Sequence, residues 1–250
     1  MPFPTYPLSS LPLLTKSQMI EVDRLMIEEY HIGLIQMMEN AGRGLARLAM
    51  DFLQGEPIAR GYVLVLSGSG GNGGGAMVAA RRLAGWGIPV KLLLSADSNR
   101  LGEVPRHQLR ILKAMEVPVL TEWPEVLPSL ILDGMIGYSL TGAPRGRALD
   151  YILQANGLVQ IPTVSLDAPS GLNVTNGSVP GEAIRAKATL TLALPKVGLT
   201  IPDAQAYVGQ LYLADISVPR KIYQQMGLPT LPDSLFQEGD IVALDEATMD

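Results

Sequence analysis

Two aspartates stand directly after short apolar runs. Asp133 follows Leu130-Ile-Leu132, and Asp167 follows Pro162–Leu166 and opens Asp167-Ala-Pro-Ser-Gly171. A third polar group, Asn72, lies in a glycine-rich stretch, Gly68-Ser-Gly-Gly-Asn-Gly-Gly-Gly-Ala76, that follows the apolar run Tyr62–Leu66. A carboxylate beside a ligand's hydroxyl can take or give a proton. Carboxylates, an amide side chain and backbone carbonyls together also suit a hard cation that prefers oxygen ligands. A single aspartate after a strand is commonly a turn or capping residue. Two of them facing a glycine loop point to a site. The glycines let the backbone approach a ligand closely. A helix beginning near Ala76 would add free N–H groups and the positive end of its dipole, which suits a phosphate or another anion. The stretch does not reproduce the dinucleotide fingerprint cleanly in its usual context, and it lacks the Lys-Ser/Thr ending of a P-loop.

Other chemistries find no support. There is no Gly-x-Ser-x-Gly elbow for a hydrolase triad and no His-Glu-x-x-His for zinc. No cysteine is present, so disulfides, thiolate nucleophiles and Cys-ligated metals are excluded. The two histidines, His31 and His107, read as surface or cap residues, and the eleven methionines as core filling.

For the two aspartates and Asn72 to meet, the runs before them must be neighbouring strands. These runs lack alternation, as parallel strands covered on both faces do. Strands are expected at Tyr62–Leu66, Pro89–Leu94, Val117–Leu120, Leu130–Leu132, Pro162–Leu166, Ala188–Leu192 and Gln210–Leu213. Helical spacing predicts helices from Thr15, over Leu34–Leu53, from Ala76 to about Trp86, over His107–Met115 and over Arg147–Ala155. Gly42 and Gly44 inside the second helix predict close packing against another element. The alternation gives an α/β fold with a mostly parallel sheet and right-handed crossovers. In such a sheet ligands bind at the carboxyl ends of the strands, where Asn72, Asp133 and Asp167 converge. Residues 1–14, with four prolines, read as an extended arm suited to lie over a neighbouring subunit. Residues 229–250 read as a tail or linker.

Composition bounds the setting. A chain of 250 residues, 47% hydrophobic and 17% charged, is long and apolar enough for one α/β domain with a large core. A net charge of −5 without a Lys/Arg run leaves no footprint for nucleic acid. The N-terminus lacks the parts of a signal peptide, and no apolar stretch reaches the length of a membrane span. A soluble, cytoplasmic protein is expected.

Several motifs taken together resemble one family, the NAD(P)H-hydrate epimerases, also called the YjeF N-terminal domain. They are Met38-Glu-Asn-Ala-Gly42, the strand and glycine loop followed by Val78-Ala-Ala-Arg81, Asp133-Gly-Met-Ile-Gly137, Ser165-Leu-Asp-Ala-Pro-Ser-Gly-Leu-Asn173, Leu192-Ala-Leu-Pro-Lys-Val-Gly-Leu199 and Asp215-Ile-Ser-Val-Pro219. The resemblance covers residues 15–228 and implies a Rossmann-like three-layer α/β/α sandwich, commonly a homodimer. It implies interconversion of the R and S forms of hydrated NADH or NADPH (NAD(P)HX), a nucleotide repair reaction that feeds an ADP- or ATP-dependent dehydratase. It further implies a bound potassium ion held by Asn72, Asp133 and Ser170. The substrate-binding residues carried over are Gly71, Asn72, Gly73, Gly74 and Gly75, then Gly137, Tyr138, Ser139, Leu140, Thr141, Gly142 and Ala143, with Asp167 as the catalytic, substrate-contacting carboxylate. The chain departs from the family loop Gly-Pro-Gly-Asn-Asn-Gly-Gly-Asp-Gly at two polar positions. Gly71 stands for its first Asn and Gly75 for its Asp. Some relatives also carry a Lys near the positions of Ser95 and Ala96, and none stands here. These departures give a second reading, a catalytically weakened nucleotide-binding or scaffold module of the same fold.

Overall fold

The computed structural model describes residues 3–53 and 61–245. In chain order its elements are β1 (Thr5–Pro7), α1 (Lys16–Glu28), α2 (Leu34–Leu53), β2 (Val63–Ser67), α3 (Gly71–Gly85), β3 (Val90–Leu94), α4 (Glu103–Ala114), β4 (Val119–Leu120), β5 (Leu130–Gly134), α5 (Arg147–Gly157), β6 (Thr163–Leu166), β7 (Ala188–Leu192), α6 (Gln205–Val208), β8 (Gln210–Ala214), α7 (Arg220–Gln225) and β9 (Ile241–Asp245). The runs without alternation become strands covered on both faces: every residue of β2, β5, β6 and β7 is buried. Val63 and Val65 pack into one apolar cluster with α1, α2, α3 and α4. Their neighbours Leu64 and Leu66 pack on the opposite face with Tyr151, Ile152 and Ala155 of α5. The result is three layers, helices on both faces of one sheet.

The strand order is β1-β9-β8-β7-β6-β5-β2-β3-β4, parallel throughout except between β8 and β9. From β2 the chain builds outward through β3 and β4, then returns to add β5 on the other side. The connections leaving β2 and β5 therefore diverge, and a crevice opens between their carboxyl ends.

Three expectations need correction. The helix after the glycine stretch begins at Gly71 rather than near Ala76, so most of the glycines form its first turns. Glycine is a poor helix former, by about 1 kcal/mol per residue against alanine, but here close packing overrides propensity. A Cβ on Gly73 would lie 2.1 Å from the Gly68 carbonyl oxygen, and one on Gly75 would lie 2.8 Å from Leu166 Cδ2. The same closeness accounts for Gly42 of α2, where a Cβ would lie 2.4 Å from the Gly75 carbonyl oxygen.

The N-terminal arm joins the sheet of its own chain as an edge strand. Thr5–Pro7 pair with Ala243–Asp245 of the same chain, the Ala243 N–H donating to Pro4 O at 2.8 Å. The expected tail supplies the other half of that pairing: β9 runs antiparallel to β8, with Ile241, Val242 and Leu244 buried. Both segments join the sheet because its β8 edge offers unpaired backbone groups. Residues 1–2 of the arm and 246–250 of the tail lie outside the described residues. Among the described residues no helix is long and apolar enough to cross a membrane.

Candidate active site at the carboxyl edge of the sheet

A cavity of about 510 Å³ opens at this crevice, within the usual size range of small-molecule sites. Its wall is built from Met19, Asp23 and Ile27 of α1, Leu34, Met37 and Met38 of α2, Ser69–Asn72 at the start of α3, Met135–Ser139 after β5, Asp167 after β6, and Leu192 and Ile216. One side is thus apolar and rich in methionine, and the other carries carboxylates and backbone N–H groups. The first helical bond of α3 runs from Gly74 N–H to Gly70 O, so the N–H groups of Gly71, Asn72 and Gly73 precede it.

Asp167 is the most constrained polar residue of this wall. It follows β6 directly, is 3% exposed, and has a φ of 66°, in the left-handed region that a non-glycine residue seldom enters. Backbone conformations of this kind cluster at functional sites. Tyr138 N–H donates to Asp167 Oδ2 at 3.0 Å. Lys196 Nζ donates to Asp167 Oδ1 in an ion pair, and also to Leu192 O at 2.8 Å and Thr191 Oγ1 at 3.1 Å. Lys196 is fully buried. Its three acceptors satisfy its three donors, which is what makes a buried ammonium tolerable. The backbone around it is pinned by the arm, through Leu14 N–H to Pro195 O at 2.8 Å and Val197 N–H to Leu14 O at 3.0 Å.

Asp133 and Ser170 lie behind the wall, both fully buried. Asp133 Oδ2 accepts from Ser165 Oγ and Ser170 N–H, each at 2.8 Å. Its Oδ1 accepts from Ser170 Oγ at 2.5 Å and Met135 N–H at 3.2 Å. Ser170 Oγ in turn accepts from Ile136 N–H at 2.8 Å. This knot ties the loop that carries Tyr138 to the loop that carries Asp167. Burial pushes the Asp133 carboxyl up, and its four donors, all neutral, pull it only partly back.

Asn72 has the opposite problem. Its side-chain oxygen and nitrogen are both buried and both lack a hydrogen-bond partner among the described residues. It is brought close to Asp167 by Gly137, where a Cβ would lie 3.0 Å from Asp167 Oδ2 and 3.2 Å from Asn72 Cγ. A buried amide without a partner is a group that a bound ligand or ion satisfies, whereas both Asp133 oxygens and the Ser170 hydroxyl already have partners among the described residues.

Of the residues expected in the site, Gly71, Asn72, Gly137, Tyr138, Ser139 and Asp167 line the cavity. Gly73, Gly74 and Gly75 do not. A side chain on them would meet Gly68, Val104 and Leu166 respectively, all packing contacts. Leu140, Thr141, Gly142 and Ala143 continue past the cavity, with Leu140 O accepting from Lys16 Nζ at 3.1 Å. The departure at Gly75 therefore falls on a core-packing face and removes nothing from the cavity wall. Only the departure at Gly71 borders the cavity.

Two residues were not singled out from the sequence. Lys196 carries a signal in retrospect, as a lone charge in the apolar stretch Leu192–Leu199. Asp23 sits between Met19 and Ile27 at spacings of four, a single carboxylate on a helix stripe that faces the cavity. Tyr138 Oη donates to Asp23 Oδ2 at 2.5 Å. Burial pushes the Asp23 carboxyl up, and the charge of Asp167 pushes it the same way, against the Tyr138 hydrogen bond and the charge of Lys196.

Comparison with known proteins meets this geometry. The sequence profile of the family described as YjeF-related protein N-terminus matches residues 34–198, which include the glycine stretch, Asp133, Asp167 and Lys196. The chain belongs to this family. A relative from Dehalogenimonas lykanthroporepellens, named NAD(P)H-hydrate epimerase, is 44% identical over 220 residues, 86% of each chain. Another family member, from Salinibacter ruber, is named bifunctional NAD(P)H-hydrate repair enzyme Nnr. It is 34% identical over 225 residues, which are 83% of this chain but 41% of that one. The crystal structure of yeast ynu0, YNL200c, superposes with a TM-score of 0.79 at 23% identity, covering 94% of this chain and all of that one, and shares the fold.

Proposed function

We propose that the protein interconverts the R and S forms of hydrated NADH and NADPH. The observation that carries this reading is Asp167: a buried carboxylate in a left-handed backbone conformation, paired with a buried lysine, at the wall of a nucleotide-sized cavity. Relatives named NAD(P)H-hydrate epimerase, one of them 44% identical, support it.

The reaction inverts the C6 carbinol centre of the hydrated nicotinamide ring, by loss and return of hydroxide or by ring opening. Each Asp167 oxygen already accepts a hydrogen bond, from Lys196 and from Tyr138 N–H. That arrangement suits a base, which takes a proton from the C6 hydroxyl or from the water that replaces it. The methionine and leucine side gives the ring an apolar seat. The N–H groups at the start of α3 suit the phosphates. Asn72, Asp133 and Ser170 would hold potassium, whose positive charge would offset burial of the Asp133 carboxylate and fix the two loops. The relatives named as bifunctional repair enzymes support a dehydratase as functional partner.

The purified protein should bring a single epimer of hydrated NADH to the R/S equilibrium far faster than the spontaneous rate, followed by chromatography. A wild-type rate no faster than the spontaneous one, with potassium present, would defeat this reading. The weakened-module reading rested on Gly75 and Gly71, and Gly75 is a packing residue.

A further inference from the structure

Asp167 accounts for taking a proton, and a second group must give one. We infer that Asp23 is the proton donor of this site, acting across the cavity from Asp167 on the hydroxyl that leaves C6. The inference rests on the epimerase reading and adds a residue to it.

Three observations carry it. Asp23 lines the same cavity as Asp167 but comes from a different layer, α1 rather than the sheet edge. The two carboxylates are spaced by a single residue, Tyr138, whose backbone N–H is on Asp167 and whose phenol is on Asp23. One tyrosine thus bridges the two carboxylates, its backbone on one and its phenol on the other, at the wall of a single cavity. Among the described residues Tyr138 is the sole hydrogen-bond partner of Asp23, and it occupies Oδ2, so Oδ1 is left for the cavity. Tyr138 itself is pushed well above the usual phenol range by burial and by Asp23, and stays a donor. The two aspartates also sit in opposed environments. Asp167 has a lysine, whereas burial and the Asp167 charge favour the neutral form of Asp23. A carboxyl that burial pushes up suits a proton donor.

The step balances as follows. Asp23 gives its proton to the C6 hydroxyl, the C6–O bond breaks, and the nitrogen lone pair of the ring forms a C=N bond as water leaves. Water then adds to C6 from the opposite face, the C=N pair returns to nitrogen, and Asp167 takes the proton released. Nothing is oxidised or reduced, one proton moves from Asp23 to Asp167, and exchange with solvent restores the starting state.

The test is Asp23→Asn, which keeps an acceptor for the Tyr138 phenol, measured beside the wild type for kcat, KM and thermal midpoint. The expected result is a fall in kcat of about 10²–10⁴-fold, with KM and midpoint little changed. In Asp23→Ala, added formate or acetate should restore activity in proportion to its concentration, which a purely positioning role would not allow. Asp23→Asn at close to the wild-type rate, or a folded Asp23→Ala that no carboxylate rescues, overturns the assignment while leaving the epimerase reading intact. An inactive wild type overturns both.

Discussion

Lys196 has no contact with solvent, and its ammonium is balanced by Asp167, Thr191 and the Leu192 carbonyl alone. Removing one partner of a buried pair leaves the other charge uncompensated, at a cost of about 3–5 kcal/mol. Lys196→Met should lower the unfolding free energy by that amount in urea titrations and depress epimerisation with it. A loss below about 1 kcal/mol, the range of a surface pair, would mean that the pair carries little charge interaction. At this scale the sequence was legible in part. Asp133 and Asp167 stood out because each ends an apolar run, and both lie at strand ends. Lys196 and Asp23 did not. Their partners are 29 and 115 residues away in sequence, and no local pattern announces such a meeting.

The element that shapes the site is α3, and its glycines do two different jobs. Gly71 faces the cavity, where the nearest atoms to an added Cβ would be Met38 Sδ and Leu34 Cδ1 at 3.6 and 3.7 Å, ordinary contact distances. An added Cβ on Gly75 would lie 2.8 Å from Leu166 Cδ2 and 3.6 Å from Ala41 Cβ, so Leu166 must shift to admit a side chain among apolar neighbours. Gly71→Asn should therefore leave stability within about 1 kcal/mol. Gly75→Asp should destabilise by about 2–4 kcal/mol, through overpacking and an unpaired carboxyl, and add no activity. Thermal and urea unfolding of the two variants checks this, and a Gly75→Asp protein as stable as wild type would contradict the packing account. The strand preceding the loop and the helix following it were readable from periodicity. The start of α3 was not, because glycine's low helix propensity masks a helix that only tertiary packing reveals.

For the whole molecule, the sheet's parallel core follows from runs without alternation, whereas its outer pairing does not. β1 and β9 join residues from opposite ends of the chain, a contact that neither short segment predicts by itself. The same join reaches the site, since Leu14 at the end of the arm bridges to Lys196. The cavity likewise depends on parts that close only in the folded chain: α1, the α3 turn and the loops after β5 and β6. A cation binding to the folded chain alone raises its stability, by about 2.7 kcal/mol at a hundredfold excess over Kd. Potassium chloride should thus raise the thermal midpoint above that in tetramethylammonium chloride of equal ionic strength. Asn72→Ala should abolish the difference, and a difference that persists in this variant would place the cation elsewhere.

In the proposed reaction Asp167, pinned by Lys196 at the carboxyl edge of the sheet, carries proton transfer at C6. The most direct measurement starts from one purified epimer of hydrated NADH and follows its approach to the R/S equilibrium with wild type and with Asp167→Asn at matched folding. The wild type should equilibrate the epimers rapidly, and the variant should be slower by about 10²–10⁴-fold. An Asp167→Asn protein that equilibrates the epimers at the wild-type rate would contradict that role for Asp167.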